Sequence, residues 1–551
     1  MSLLLDLFGF LSVILRGLSL VAQSFTSGGL AFLFLILKPS ESRLSADSLE
    51  ISHDCLNFLR ISAFSFAFFT FSSLVLNAAV LAGTLGISWF KAASADFAQA
   101  DLVIFSCALF IGLLAGGSWN ALRWMTLAGL ALLALAMQLS LTHAASRLGL
   151  QWPHLLSDAI HMLAVALWIG GLPYFLIALN RCTKLADWRI IGRRYSLLSM
   201  TSVAAIAASG SAMAVAYVGS VEALYGTAYG VMVVTKLLLL LMLLLLGGAN
   251  YLIVESLRRD PDSPILRLKR FAEVEIGLGL TTIFVAASLT SLPPGIDLTQ
   301  DRLSFQEIVE RLTPQFPVRL TSPDYDKLTI AKLQAQISAA EAQKTMAPQA
   351  YVPGEGIPLP QSAEDIAWSE YNHHWAGIFV LAIGLLALIE HFRWGRLAKH
   401  WPLLFLGMAA FLFLRADEEA WPLGEIGFFA SLRDPDVTQH RIITLLITLF
   451  GIFEWQVRLK GSRSGKAVLV FPLTTALASA MLLVHSHAIA NLKSELLIEI
   501  SHVPLAFCGI TAGWARWLEL RLDGRASRIA SFVWPVAFIL VGLILLAYRE
   551  A

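Results

Sequence analysis

The chain has 551 residues, 57% hydrophobic and 14% charged, with forty lysines and arginines against thirty-nine aspartates and glutamates. Soluble domains carry about 25% charged and about 45–50% apolar residues, which excludes a soluble globular protein, a disordered chain and a nucleic-acid binder. A net charge of +1 leaves no polybasic or polyacidic character to interpret, and the composition is that of a polytopic membrane protein.

A bilayer-spanning helix needs about 20 apolar residues. The N-terminal MSLLLDLFGFLSVILRG has neither a basic flank nor an A-x-A site and reads as a retained first span rather than a cleaved signal. Runs near 7–37, 56–86, 98–117, 121–143, 155–180, 195–219, 227–254 and 270–292 predict eight helices over 1–292. The polar stretch 293–372 follows. In it SFQEIVERL and KLTIAKLQAQISAAEAQ predict surface helices, broken by YVPGEGIPLP, which together suggest a small cap. Runs near 374–392, 401–415, 439–458, 467–487, 496–518 and 530–548 predict six more helices over 373–551. The expected fold is thus an all-α membrane protein of about fourteen helices, in bundles of eight and six around a helical extracytoplasmic loop domain.

Lysine and arginine concentrate in cytoplasmic loops. The segments before spans 2, 4, 6, 8, 10, 12 and 14 hold twenty-four of them, against five in the short opposite loops and the C-terminal tip. This asymmetry predicts that both termini and 293–372 face outward. Inside the first bundle SFTSGGLAF echoes LWIGGLPYF, and SLTH echoes SLTS, at offsets of 142 and 148. Such spacing suggests a parallel repeat of two four-helix units. Four scattered cysteines, Cys55, Cys107, Cys182 and Cys508, make neither a disulfide framework nor a thiolate cage.

Nine of the twelve histidines fall at or near the predicted outer face. His161 lies about two turns inside span 5, with Trp168 two turns further along the same face and Gly170 and Gly171 allowing close helix approach. An ionisable side chain within a span is functional by default, so His161 is expected to be a metal ligand or gate, with His143 at the same level as its companion. In the second bundle His374, His440, His485, His487 and His502 approach one membrane level. Glu370 is i, i+4 to His374, and Glu495, Glu499 and His502 share a helical face. Imidazole and carboxylate suit Cu(II) or Zn(II), so a second metal site is expected there, with Glu499 or Glu370 as carboxylate partner. Ordinary interfacial capping is the competing reading of these histidines. Arg16 and Lys236 are further charges within spans and are expected to face the bundle interior. No Walker A or phosphorylation motif accompanies them, which argues against ATP-driven pumping by this chain alone.

SDAIHMLAVALWIGGLPYF, RRYSLLSM, GTAYGVMVVTKLLLLLMLLLLGGAN and RFAEVEIGLGL ending in LTSLPPG resemble the copper resistance protein D (CopD) family, well over about 140–294 and loosely before that. The segment from 295 onward, with WSEYNHHWAG, SLRDPDVTQHR and HSHA, is similar to the region that follows this domain in some bacterial members. The resemblance implies an inner-membrane protein that takes copper at the periplasmic face and moves it toward the cytoplasm, with a periplasmic copper chaperone as a possible partner and membrane lipids around it. The chain has no MxxM or MxM, which disfavours thioether transfer and favours histidine ligation. A fainter similarity, in His161 with WIGGLPYF and Lys236 two helices later, points to HemJ-type membrane protoporphyrinogen oxidases and implies b-type haem instead. A third reading is a non-transporting partner of a copper enzyme or chaperone that docks through the outer cap.

Overall fold

In hydrocarbon every backbone N–H and C=O must find its partner within the protein, which leaves long apolar segments the choice of helix or closed barrel. The computed structural model takes the helical solution, with no strand among the described residues. These are residues 8–44, 48–116, 120–142, 151–182, 184–259, 265–299, 302–323, 363–392, 396–417, 420–424, 426–432, 435–460, 465–485 and 493–550. The chain divides into two compact units, Met1–Arg302 and Leu303–Ala551.

In the first unit α1 is Phe8–Ala31, continued by a π-helical turn at Phe32–Leu37 and a 3-10 segment at Lys38–Arg43. The next three are α2, Ser48–Leu85, α3, Asp96–Leu114, and α4, Ala121–Leu139. α5 comprises Gln151–Trp168 and Leu172–Arg181, and is followed by α6, Leu185–Tyr217, α7, Ala228–Arg259, and α8, Leu266–Leu289. Sequence neighbours pair along the bundle, and α1 is shared, packing on α2, α5 and α8.

The two GGL motifs meet where α1 crosses α5. A Cβ on Gly170 would lie 1.9 Å from the Ser24 carbonyl oxygen, and one on Gly28 2.3 Å from Ala166 O. Only glycine lets these backbones touch. One turn on, Phe32 stacks on Tyr174 with ring centroids 6.2 Å apart, and the Tyr174 hydroxyl donates to Phe25 O at 2.9 Å. The break in α5 at Ile169–Gly171 sits at this contact.

The second unit opens with α9, Phe305–Leu312, whose Ser304 and Glu307 form a reciprocal capping box. This is the helix expected from SFQEIVERL; the expected helix at KLTIAKLQAQISAAEAQ lies outside the described residues. Then come α10, Ala363–Ile389, α11, Leu404–Arg415, α12, Pro435–Leu459, α13, Val470–His485, α14, Lys493–Arg521, and α15, Gly524–Leu546. α15 packs on both α10 and α14. The core gathers Trp401, Phe405, Phe471 and Trp534 with Ile383 and Ala512.

Thirteen helices among the described residues are long and apolar enough to cross a membrane. They occupy thirteen of the fourteen expected positions, and α14, 29 residues long, stands at the remaining one. Exposed apolar rows such as Leu237, Leu241 and Leu245 on α7, or Ile442, Leu445 and Leu449 on α12, are what lipid-facing surfaces require. The chain is a multi-pass, all-α membrane protein.

Candidate functional site

The N-terminal half of α5 carries His154, Asp158 and His161 at i, i+4 and i+7, one face of the helix. The His161 Nδ1 lies 3.2 Å from the Ser209 hydroxyl of α6. That hydroxyl donates to the Ala205 carbonyl at 2.6 Å, so its oxygen accepts from Nδ1–H. The ring also donates to the Ile206 backbone carbonyl, so α6 anchors the imidazole, and a neutral ring keeps one nitrogen lone pair for a ligand. His161 lines a cavity of about 1000 Å³ walled by apolar side chains of α1, α4, α5 and α8, among them Leu20, Ala128, Leu132 and Ile283. Lys236 of α7 reaches the same cavity. It stands close enough to His161 and to Asp158 for their charges to interact, and the Thr142 hydroxyl holds the Asp158 carboxyl.

Trp168 lines a second, smaller cavity of about 290 Å³ bounded by α5, α6, α7 and α8. There the Asn250 amide of α7 donates to Glu275 Oε2 of α8, the Trp168 indole also reaches that carboxyl, and the Tyr195 hydroxyl of α6 donates to Trp168 O. Glu275 is 3% exposed. Arg16 lines neither cavity: its guanidinium meets the Gln138 amide oxygen of α4, near Asp101 of α3.

In the second unit the histidines separate. His374 places Nδ1 3.0 Å from Arg319 O and Nε2 3.0 Å from Tyr548 O, so both ring nitrogens are committed to backbone carbonyls. Its neighbour His373 stacks on Tyr548 with centroids 3.8 Å apart, and His502 stands nearly perpendicular to it at 6.1 Å. The Tyr548 and Ser369 hydroxyls both donate to Glu550, and Arg311 lies 3.6 Å from the same carboxylate. Burial and the adjacent Glu550 charge push the Tyr548 phenol up. His440 instead pairs with Asp417 at 2.5 Å beside Arg441. Glu499 is buried on α14. His143, His487 and the side chain of His485 lie outside the described residues. Among those described, no three His, Cys, Asp or Glu side chains are placed to hold a metal together.

Of the expected residues, His161 and Lys236 therefore share one cavity, Trp168 belongs to the next, and Arg16, His440 and His374 have other partners. Sequence reasoning missed Asp158, Ser209 and Glu275. The i, i+4, i+7 spacing of PHLLSDAIH was the available signal for Asp158. Glu275 was hidden in the charged run RLKRFAEVE.

Residues 189–289 match the family described as Copper resistance protein D. That stretch covers α6 to α8, and so contains Ser209, Lys236, Asn250 and Glu275, while His161 precedes it. The chain is also similar to the "Copper transport protein CutJ" of Bacillus subtilis (strain 168), 26% identical over 143 residues. The match takes in 25% of this chain and 25% of that relative, about a quarter of its length. No solved structure matches.

Proposed function

For this multi-pass membrane protein with its CopD-family region, we propose copper handling: binding at the periplasmic face of the inner membrane and movement toward the cytoplasm. One observation carries the reading. His161, held by the Ser209 hydroxyl and the Ile206 carbonyl of α6, lines a cavity inside the bundle. Neutral imidazole is a good copper ligand, and ligation through it makes occupancy fall as the pH drops and the rings protonate. His154 and Asp158 precede His161 along the same face and give an arriving cation successive polar contacts, about 6 Å from first to second at 1.5 Å per residue. Lys236 opposes a second positive charge in the cavity, and Asp158 offsets it.

The basic-residue asymmetry supports both termini and 293–372 on the outer side, where a copper chaperone would dock. In the second unit, His502 with His373 is the best-placed imidazole pair for an outer metal site. His440, His485, His487 and Glu499 complete the candidates from the sequence.

The test is metal content and uptake of the purified, reconstituted protein. His161→Leu is expected to lose the bound copper and at least tenfold in uptake while remaining inserted. Normal copper content and uptake in that variant overturn the assignment.

A second reading has its own observation. One imidazole on the wall of an apolar cavity of about 1000 Å³ also fits a porphyrin, and His161 would be the residue to hold its iron. Bound haem b would supply redox chemistry, and the apolar wall would shield it from water. A Soret band in the purified protein, lost in His161→Leu, selects this reading over copper.

A further inference from the structure

The smaller cavity of the first unit has the construction of an ion site rather than of packed core, and it stands apart from the His161 cavity. Its one carboxyl, Glu275, lies within the run 270–292 read as a span, about one and a half turns past Arg270 on α8. Charge inside a span is costly, about 2.5–3.5 kcal/mol at a helix centre on the mildest scale and less toward its end, and residues that carry it are rare unless they work. The contacts to Glu275 come from neutral donors, the Asn250 amide and the Trp168 indole. No basic side chain lies within ion-pair distance of it among the described residues. Oε1 faces Gly247, where a Cβ would stand 3.1 Å away. Glycine at 247 keeps that oxygen open to the cavity. Asn250 is 7% exposed. Glu275 and Asn250 thus both line a space of about 290 Å³, room for several waters at about 30 Å³ each, and the buried Asn250 Oδ1 beside it is left without a protein partner among the described residues.

We infer that Glu275 is a proton-binding site within the membrane, loaded and emptied through this cavity and coupled to the His161 cavity through α5. Oε1 takes a proton from cavity water to give the neutral acid and returns to carboxylate on releasing it; no other bond changes. Trp168 supplies the coupling. Its indole reads the carboxyl, its carbonyl is held by Tyr195, and it stands seven residues from His161, about 10 Å along the same helix at 1.5 Å per residue. α6 brings the Tyr195 phenol, α7 Asn250 and α5 Trp168. α1 has one described charge, Arg16, which is directed at Gln138. On α8 itself Arg270 and Glu273 pair with each other. The coupling rests on the copper reading above, whereas the proton site does not.

Two measurements on the full chain keep these apart. Infrared titration of the metal-free protein is expected to show a carboxylic C=O band that appears and vanishes with pH, is absent in Glu275→Gln, and keeps its intensity with a moved midpoint in Asn250→Ala. A band that persists in Glu275→Gln, or wild type with no titrating band, overturns the proton site. If Glu275→Gln fails to accumulate, Glu275→Asp decides: the band must change frequency, and an unmoved band refutes. The second measurement places the protein in liposomes with a trapped pH indicator and adds copper. Wild type is expected to move protons with copper, and Glu275→Gln to lose at least tenfold of the proton flux. Copper uptake with unchanged proton flux in that variant overturns the coupling. Absence of copper uptake in wild type removes the copper reading and the coupling with it, and leaves the infrared result to decide the proton site.

Discussion

Replacing Gly170 with alanine places a methyl carbon 1.9 Å from the Ser24 carbonyl oxygen of α1. Carbon and oxygen sit comfortably at about 3.3 Å, so α1 and α5 must separate locally by about 1.4 Å or bend. No flexible side chain can yield, because the opposing atom is backbone. Overpacking a tight contact costs about 1–3 kcal/mol, and sometimes more. The upper end applies here, since moving the two helices also loosens the Phe32–Tyr174 stack and the Tyr174 bond to Phe25 O. Gly129→Ala is the matched control: it lies within α4 with nothing inside 4 Å of its would-be Cβ. There alanine removes the conformational freedom of glycine and is expected to stabilise by about 0.5–1 kcal/mol. Thermal denaturation of both variants in one detergent checks the pair. Gly170→Ala should melt below wild type and Gly129→Ala at or above it. A Gly170→Ala protein that melts with wild type would refute the claim that bare backbones meet at this crossing.

Ser209→Ala removes one of the two α6 acceptors that orient the His161 ring, the Ile206 carbonyl being the other, while leaving the imidazole itself. Loss of such an outer partner typically costs about 10–100-fold in metal affinity, and competition titration with a copper chelator measures it; unchanged affinity would mean that Ser209 does not orient the ring. In the second unit, Arg458 bonds Glu390 at 2.6 Å and Glu454 at 2.8 Å and lies over the Trp401 ring at 4.4 Å. Arg458→Leu strands the buried Glu454 carboxyl and is expected to destabilise by about 3–5 kcal/mol. Arg458→Lys should fall between, because it keeps the charge and loses the planar stacking. Equal melting of Leu and Lys variants would show that charge contributes nothing there.

Helix positions were readable because lipid forces every span to be long and apolar, and the runs announce themselves. What a helix touches is decided by azimuth and neighbours, and that was readable only in part. His161 stood out as an imidazole among alanine and leucine. Glu275 did not, since Arg267, Lys269, Arg270 and Glu273 precede it and blur into one charged collar. Its burial follows from where α8 docks on α5 and α7. The adjacent His373 and His374 point about 100° apart on a helix, and periodicity had no means of choosing between them. Both nitrogens of His374 are committed to backbone carbonyls supplied by Arg319 and Tyr548, residues 55 positions before it and 174 after it. A short window cannot see such partners. The four-helix convergence expected of His374, His440, His485, His487 and His502 assumed that a shared membrane level means shared neighbours. His440 illustrates the gap, since Asp417 takes it up.

The crossing of α1 and α5 also has the geometry of a fulcrum. Two backbones in contact at Gly28 and Gly170, with the Tyr174 ring packed on Gly29 beside them, resist sliding more than they resist swivelling. Displacement then grows with the lever arm. Twelve residues toward the N-terminus of α1, at about 18 Å, a swivel of about 10° carries Arg16 through about 3 Å while the glycines hardly move. Both helices furnish walls of the His161 cavity, so such a swivel would change its aperture far more than its anchoring contact. Tethering the two helices at the glycines should leave that swing intact, whereas a tether two turns or more away should arrest it.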